Sequence, residues 1–240
     1  MMQQLAEKIA LVTGGTRGIG RAVAQKLAEA GAGVVICGRR QQDLDHAVAS
    51  LSTSAPGRIV GQACDVAVYE EVARLFRFIH ATFGRLDILV NNAGIGLFQP
   101  VDQIAPEDWR RVVETNLSGA FYCTREAAPL MRQQGGGFII NIGSLAGKNP
   151  MAGGSAYNAS KFGLLGFSEA SMLDLRYDNI RVSCVMPGSV ATEFSGPGRG
   201  REDWKIGADD IAQTVLDLLA LPARTLASRV EIRPTKPPRR

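Results

Sequence analysis

An α/β fold built on one doubly wound parallel sheet of about seven strands is predicted by three observations. Short, continuous apolar runs rich in β-branched residues recur along the chain. Helical stretches alternate with them. The first apolar run passes through a glycine-rich turn directly into a helix.

The apolar runs are Ile9–Thr13, Gly33–Cys37, Ile59–Ala63, Leu86–Val90, Phe138–Ile142, Val182–Val185 and Val230–Ile232. Continuous apolarity, rather than alternation, suits strands covered on both faces. Between the runs lie helical patterns at Arg17–Ala30, Gln41–Leu51, Tyr69–Phe83, Pro106–Arg132, Ala156–Tyr177 and Ala208–Leu219. Pro106 suits a first helical turn, and Asp209 and Asp210 complement the positive end of their helix. Strict alternation of this kind places helices on both faces of a single sheet. One domain is expected over residues 1–240, with no internal linker and no fixed-period repeat. Two segments fall outside the alternation. Gly188–Gly207, rich in glycine and containing Pro197, is a candidate substrate lid. Residues 233–240 form a basic, proline-rich tail.

Composition excludes several classes. Of 240 residues, 45% are hydrophobic and 21% charged, ordinary globular usage that argues against disorder and collagen. No apolar run approaches the roughly 18 residues of a membrane span. The polar start lacks the apolar core of a secretory signal, so a cytoplasmic protein is expected. A pI near 9.0 invites a nucleic-acid partner. However, Arg233, Lys236, Arg239 and Arg240 account for the whole net charge of +4, and the remaining body is neutral. No basic stripe is left, so no nucleic acid is expected. Cys37, Cys64, Cys123 and Cys184 fall in or beside apolar runs without a C-x-x-C pair and read as buried, reduced thiols. His46 and His80 sit on polar helical stretches. They leave little material for a metal site or a Ser-His-Asp triad.

The chemistry begins at Gly14-Gly15-Thr16-Arg17-Gly18-Ile19-Gly20. Glycines there let a pyrophosphate approach backbone N–H groups at a helix N-terminus. The second strand ends Cys37-Gly38-Arg39-Arg40, without the acid that accepts from an adenosine 2′-hydroxyl. Arg39, flanked by Arg40 and opposed by Arg17, suits a 2′-phosphate instead. NADP(H) is therefore the expected cofactor. Further on, Tyr157-Asn158-Ala159-Ser160-Lys161 places a phenol and an ammonium on one helix face. A nearby ammonium and an oxidised nicotinamide are both expected to favour phenolate, lower the phenol's pKa from about 10 and equip it for proton transfer.

Other motifs stand in order around this pair. Asn91-Asn92-Ala93-Gly94 follows the fourth strand, and Asn116 lies in Asn-Leu-Ser-Gly. Ser144 precedes Tyr157 by 13 residues, and Pro187-Gly188-Ser189-Val190-Ala191-Thr192 starts 26 residues after Lys161. With these motifs the chain resembles the short-chain dehydrogenase/reductase family over roughly residues 5–232, a Rossmann-like fold. The resemblance implies that Ser144 holds the substrate oxygen and that Tyr157 is the general acid/base. It implies that Lys161 binds the nicotinamide ribose, and that Asn116 anchors a water linking Lys161 to solvent. Asn92, Ala93 and Gly94 would line the cofactor cleft beside Pro187 and Gly188. Val190 and Thr192 would hold the carboxamide. Asp65, next to Val66, would accept from the adenine amino group or else cap the following helix.

The activity implied is reduction of a ketone or aldehyde to an alcohol by NADPH, in a homodimer or homotetramer. The nearest broad comparison is with 3-oxoacyl-carrier-protein reductases. The chain departs from them at its end, Val230-Glu231-Ile232-Arg233-Pro234 in place of a V-D-G-G signature. It also has no cation at Gly135 or Asp178, where some of those enzymes meet an acidic carrier. Leu97, Phe98, Leu145, Met151, Phe194 and Trp204 are candidates for an apolar substrate pocket. A non-catalytic NADP(H) sensor or scaffold is the competing reading. The intact set of Asn116, Ser144, Tyr157 and Lys161 argues against it, because a sensor need not retain the acid.

Overall fold

A computed structural model of the chain describes residues 5–53, 58–195 and 203–238. Seven strands form one parallel sheet: β1 (Ile9–Thr13), β2 (Gly33–Gly38), β3 (Ile59–Ala63), β4 (Ile88–Asn91), β5 (Gly137–Ile142), β6 (Ile180–Pro187) and β7 (Arg229–Ile232). Their order is β3-β2-β1-β4-β5-β6-β7. Every neighbouring pair is parallel. The chain winds outward from β1 in one direction and from β4 in the other. The crevice where ligands bind to such sheets therefore lies beyond the carboxyl ends of β1 and β4.

Alternate side chains of each strand enter two separate cores, as the strand period of two requires. Ala10, Val12, Val34, Ile36, Val90 and Ile140 pack with α1 (Gly18–Glu29), α2 (Gln41–Ser52) and α7 (Ala208–Ala220). Leu11, Val35, Leu89, Ile139 and Val182 pack on the other face. Their partners are α3 (Tyr69–Phe83), the helix Gly119–Gln133 and Leu175 of α6 (Ser155–Leu175). Two-sided burial explains why these strands read as unbroken apolar runs. All four cysteines are free and buried, and His46 and His80 are exposed. Among the described residues no helix is long and apolar enough to cross a membrane, and no three His, Cys, Asp or Glu side chains cluster to hold a metal.

One expected helix differs. The pattern over Pro106–Arg132 forms α4 (Pro106–Val113), a π-helical turn Glu114–Ser118, and then α5 (Gly119–Gln133). The wider turn inserts one residue into the helical period, and apolar spacing cannot register that. Such turns gather at functional positions, and this one carries the buried Asn116.

Asp87 fastens β1 to β4. It accepts from the Ile9 amide at 2.9 Å, from Lys8 Nζ at 3.1 Å and from Arg85 Nη2 at 2.7 Å. Burial alone would raise its pKa, but Arg85, the Ile9 amide and Lys8 together hold it below the ordinary carboxylate value. Its stabilisation is thus complete above that ordinary value and fades as pH falls through the lower, folded value. Asp87→Asn is expected to destabilise the fold by about 2 kcal/mol at neutral pH. Urea denaturation should show that deficit shrinking toward pH 3. A deficit that is equal at both pH values would rule out the charge as its source.

Candidate active site

The carboxyl ends of five strands, β1, β4, β5, β6 and β7, converge on one cleft of about 810 Å³. From β1 the chain enters the glycine turn. Gly18 has φ +54°, in the left-handed region that favours glycine. A Cβ on Gly20 would collide with the Gly14 carbonyl and the Asn92 amide. These constraints bring the α1 N-terminus hard against the loop after β4. Asn92 braces it from that side: Nδ2 donates to Thr13 O at 2.9 Å and to Gly14 O at 3.2 Å. The Thr13 hydroxyl in turn accepts from the amides of Asn92 and Ala93, each at 3.0 Å. Sequence reasoning passed over Thr13, because a strand-end threonine carries no motif.

Arg17 lies at the mouth of the turn, where Nη1 reaches Glu193 Oε2 at 3.5 Å. Both side chains are largely exposed, so this ion pair is weak and easily released. Arg39 is exposed at the end of β2. Thr16 packs on Gly38 of the same strand. Arg40, expected beside the cofactor, instead donates to Asp43 at 2.7 Å across the first turn of α2. Asp65 accepts from the Ala67 amide at 3.0 Å in a local turn, while its own amide donates to Glu71 at 2.8 Å. The N-cap of α3 is Val68, not Asp65. Val66 is buried against Gly119. Arg39, Arg40, Asp65 and Val66 lie outside the cleft wall. The wall takes in Arg17, Gly18, Ile19, Asn92, Gly94, Ser144, Tyr157, Lys161, Pro187, Gly188, Val190 and Thr192.

At the floor of the cleft, Ser144 begins a short 3-10 turn just beyond β5. Its hydroxyl accepts from Ala146 N at 3.1 Å and also hydrogen-bonds the Tyr157 phenol. The phenol lies between two rings, with Phe98 at 5.5 Å and Phe194 at 5.7 Å between centroids. Burial pushes its pKa above the ordinary value, and the Ser144 bond pulls it part of the way back. Lys161 adds nothing to this balance in the free protein. The Lys161 ammonium is 5.9 Å from the ring centroid and is itself buried, with its pKa lowered to about 8. It donates to Ile142 O at 2.8 Å.

Asn116 stands behind Lys161. Its Oδ1 accepts from Ile95 N at 2.8 Å, while Nδ2 donates to Ile95 O at 2.9 Å and to Ser160 Oγ at 3.0 Å. Ser160 Oγ donates on to Tyr157 O at 2.8 Å. Asn116 thus joins the loop after β4 to the helix that carries Tyr157. Asn158 does similar work one turn away, donating to Ala146 O at 2.6 Å and accepting from Met151 N at 3.1 Å. Neither Ser160 nor Asn158 could be assigned from sequence, since no motif marks their partners in Asn116 and the loop 146–151.

Of the expected apolar pocket, Phe98, Leu145, Met151, Phe194 and Trp204 line the cleft and Leu97 does not. The two ends of the candidate lid are joined: Val190 bridges Ile206, and Ala191 N donates to Ile206 O at 2.9 Å. Its middle, including Pro197, lies outside the described residues, as do Arg239 and Arg240. The rest of the tail is not merely a solvated extension. Arg233, Pro234, Pro237 and Pro238 line this same cleft.

Comparison with known proteins agrees with this geometry. Residues 8–202 match the family model described as short chain dehydrogenase. The 3alpha-hydroxysteroid dehydrogenase of Mediterraneibacter gnavus is 38% identical over 195 residues, covering 81% of this chain and 78% of the relative. A metagenomic short-chain oxidoreductase solved in complex with NADP superposes with a TM-score of 0.86 at 38% identity, covering 97% of this chain and 99% of the other. An alcohol dehydrogenase from the archaeon Thermococcus sibiricus, complexed with 5-hydroxy-NADP, superposes with a TM-score of 0.89 at 26% identity, over 97% and 99% of the two chains.

Proposed function

The chain belongs to the short-chain dehydrogenase family of oxidoreductases, which act on hydroxyl and carbonyl groups, and from that premise we propose an NADP(H)-dependent carbonyl reductase with Tyr157 as its proton donor. The observation that carries this reading is a phenol buried between Phe98 and Phe194 that shares, with Ser144 and Lys161, the floor of a cleft opening on a glycine turn.

The residues present fit the dinucleotide. The Gly18 backbone and the α1 N-terminus offer N–H groups to a pyrophosphate. Arg17 and Arg39 flank the place for a 2′-phosphate. Two related structures contain NADP or a derivative of it. When bound, NADPH supplies the hydride; the protein supplies position and charge. Ser144 orients the carbonyl oxygen by hydrogen bonding. Tyr157 Oη, held neutral by burial, donates its proton to that oxygen. Lys161, near its own pKa at mildly alkaline pH, can return a proton toward the phenol side. Asn116 and Ser160 hold the Tyr157–Lys161 helix in register with the loop after β4.

Phe98, Leu145, Met151, Phe194 and Trp204 favour a mostly apolar carbonyl compound. A carrier-protein thioester fits poorly, because Asp178 is paired with Arg132 at 2.7 Å and presents no free cation to an acidic carrier. Exposed Trp109 on α4, Phe121 on α5, and Phe162 and Leu173 on α6 suit the helix-to-helix contacts of a homodimer or homotetramer.

The test is NADPH and NADH oxidation across a panel of β-keto thioesters, diketones and aldehydes. The wild type is compared with a variant carrying Arg17→Ala and Arg39→Ala together. The wild type should oxidise NADPH with at least one apolar ketone. The double variant should lose about tenfold or more in affinity for NADPH and much less for NADH. No turnover with any carbonyl would refute the reductase. Equal losses for both cofactors would refute the 2′-phosphate role.

A further inference from the structure

One wall of the cleft is the chain's own C-terminal segment. Its charge and prolines suggest a strand end trailing into solvent, yet it is fastened in place. Gly188 N donates to Ile232 O at 2.8 Å. A Cβ on Gly188 would meet Pro234 Cδ at 3.1 Å, a tight contact that would push the segment back by a few tenths of an ångström. Glu231 accepts from Lys148 Nζ at 2.7 Å and from Arg233 Nη2 at 2.8 Å. Lys148 follows the 3-10 turn that Ser144 begins. The segment is therefore tied both to the loop beyond β6 and to the serine turn. Three prolines, each with φ fixed, hold it on either side of a bend at Thr235–Lys236 at little further entropic cost.

The wall also carries charge. Glu193 is the one carboxylate lining the cleft among the described residues, and it faces Arg17. Arg233 lines the cleft, while its acidic partner Glu231 does not. Two cations, Lys148 and Arg233, share that single carboxylate, which leaves an excess positive charge at the rim. A guanidinium has five N–H donors, and Arg233 spends few of them on Glu231. It therefore retains a free edge for an anion that enters the cleft.

We propose that Arg233 determines specificity in the reaction proposed above. The substrate is a carbonyl compound with an apolar body and a carboxylate remote from the reacting carbon. The body packs between Phe194 and Trp204 on one side and Pro234 and Pro237 on the other, and the carboxylate pairs with Arg233. This rests on the reductase reading for the chemistry but not for the binding preference, and the two can be tested apart.

The probes are 4-benzoylbutyric acid and its methyl ester, which share the ketone and the aryl group and differ in the anion. Binding is read from Trp204 fluorescence in a Trp109→Phe background, since the chain has two tryptophans. Turnover is read as kcat/KM with NADPH. The acid should bind about tenfold more tightly than the ester. The ratio should fall to about one in Arg233→Gln and below one in Arg233→Glu. An unchanged ratio in Arg233→Gln overturns the proposal. So does a loss of NADPH affinity with the ratio intact, which would assign Arg233 to the cofactor. An acid preference in binding without any turnover upholds the role of Arg233 and refutes the reductase. Turnover of both probes at equal kcat/KM does the reverse.

Discussion

Tyr157→Phe should lower turnover by roughly 10³–10⁴-fold, the scale of a lost general acid, while the fold and dinucleotide binding change little. The change removes one hydroxyl. The ring keeps its place between Phe98 and Phe194, and the Ser144 hydroxyl keeps its bond from Ala146 N. Thermal stability should therefore stay within about 1 kcal/mol of the wild type. Fluorescence titration with NADPH should give a dissociation constant within a few-fold of the wild type, since the phenol is a small part of a long cleft. Steady-state rates at saturating ketone and NADPH decide the matter. Residual turnover above a tenth of the wild type would remove Tyr157 as the acid. The raised pKa adds a signature. In the free protein the phenol is protonated throughout the neutral range, so reduction should not decline with rising pH through Tyr157 ionisation until well into alkaline conditions. A declining limb below pH 7 would point to some other group.

The sheet and the glycine turn were legible because their cause is local. Strands buried on both faces must be apolar throughout, and a chain turning from β1 into α1 beside a second loop needs glycine at positions such as Gly18 and Gly20. The order of Ser144, Tyr157 and Lys161 was legible for a related reason: i and i+4 share a helix face whatever the surroundings. What failed to show depends on distant partners. The π turn at Asn116 follows from bonds to the Ile95 backbone, and no periodicity encodes it. Thr13 and Ser160 matter through partners far along the chain, Asn92 and Asn116, and Asn158 through the nearer loop 146–151. Asp65 and Arg40 invited ligand roles by position, and the local bonds they also make, from the Ala67 amide to Asp65 and from Arg40 to Asp43, are not encoded in any motif. The dryness of the site around Tyr157 was hidden too, since a motif places Lys161 near the ring without stating its burial. The course of the tail was hidden as well, because it depends on where β7 docks beside β6.

Lys161 supplies the sharpest separation of stability from activity. Its ammonium is buried, has one hydrogen bond to Ile142 O, and has a pKa lowered to about 8 from the usual 10.5. At pH 7 the lysine is charged in both folded and unfolded chains, and burial of that charge costs the fold about 3 kcal/mol. Between pH 8 and 10.5 the unfolded chain binds more protons than the folded one, so this cost shrinks as pH rises. Lys161→Met removes the charge, keeps most of the volume and leaves the Ile142 carbonyl without its donor, a loss of about 1 kcal/mol. The variant should therefore be more stable than the wild type by about 2 kcal/mol at pH 7, with the difference closing or reversing by pH 10. Turnover should fall at least 10²-fold in the same variant, because the phenol loses the ammonium beside it and the cofactor ribose loses its donor. Urea denaturation at pH 7 and pH 10, set against steady-state rates, reads both effects. A variant that is less stable at pH 7, or a stability gap that ignores pH, would show that the ammonium is better solvated than its burial implies. A gain in stability with loss of turnover would identify a charge kept in the core for chemistry rather than for folding.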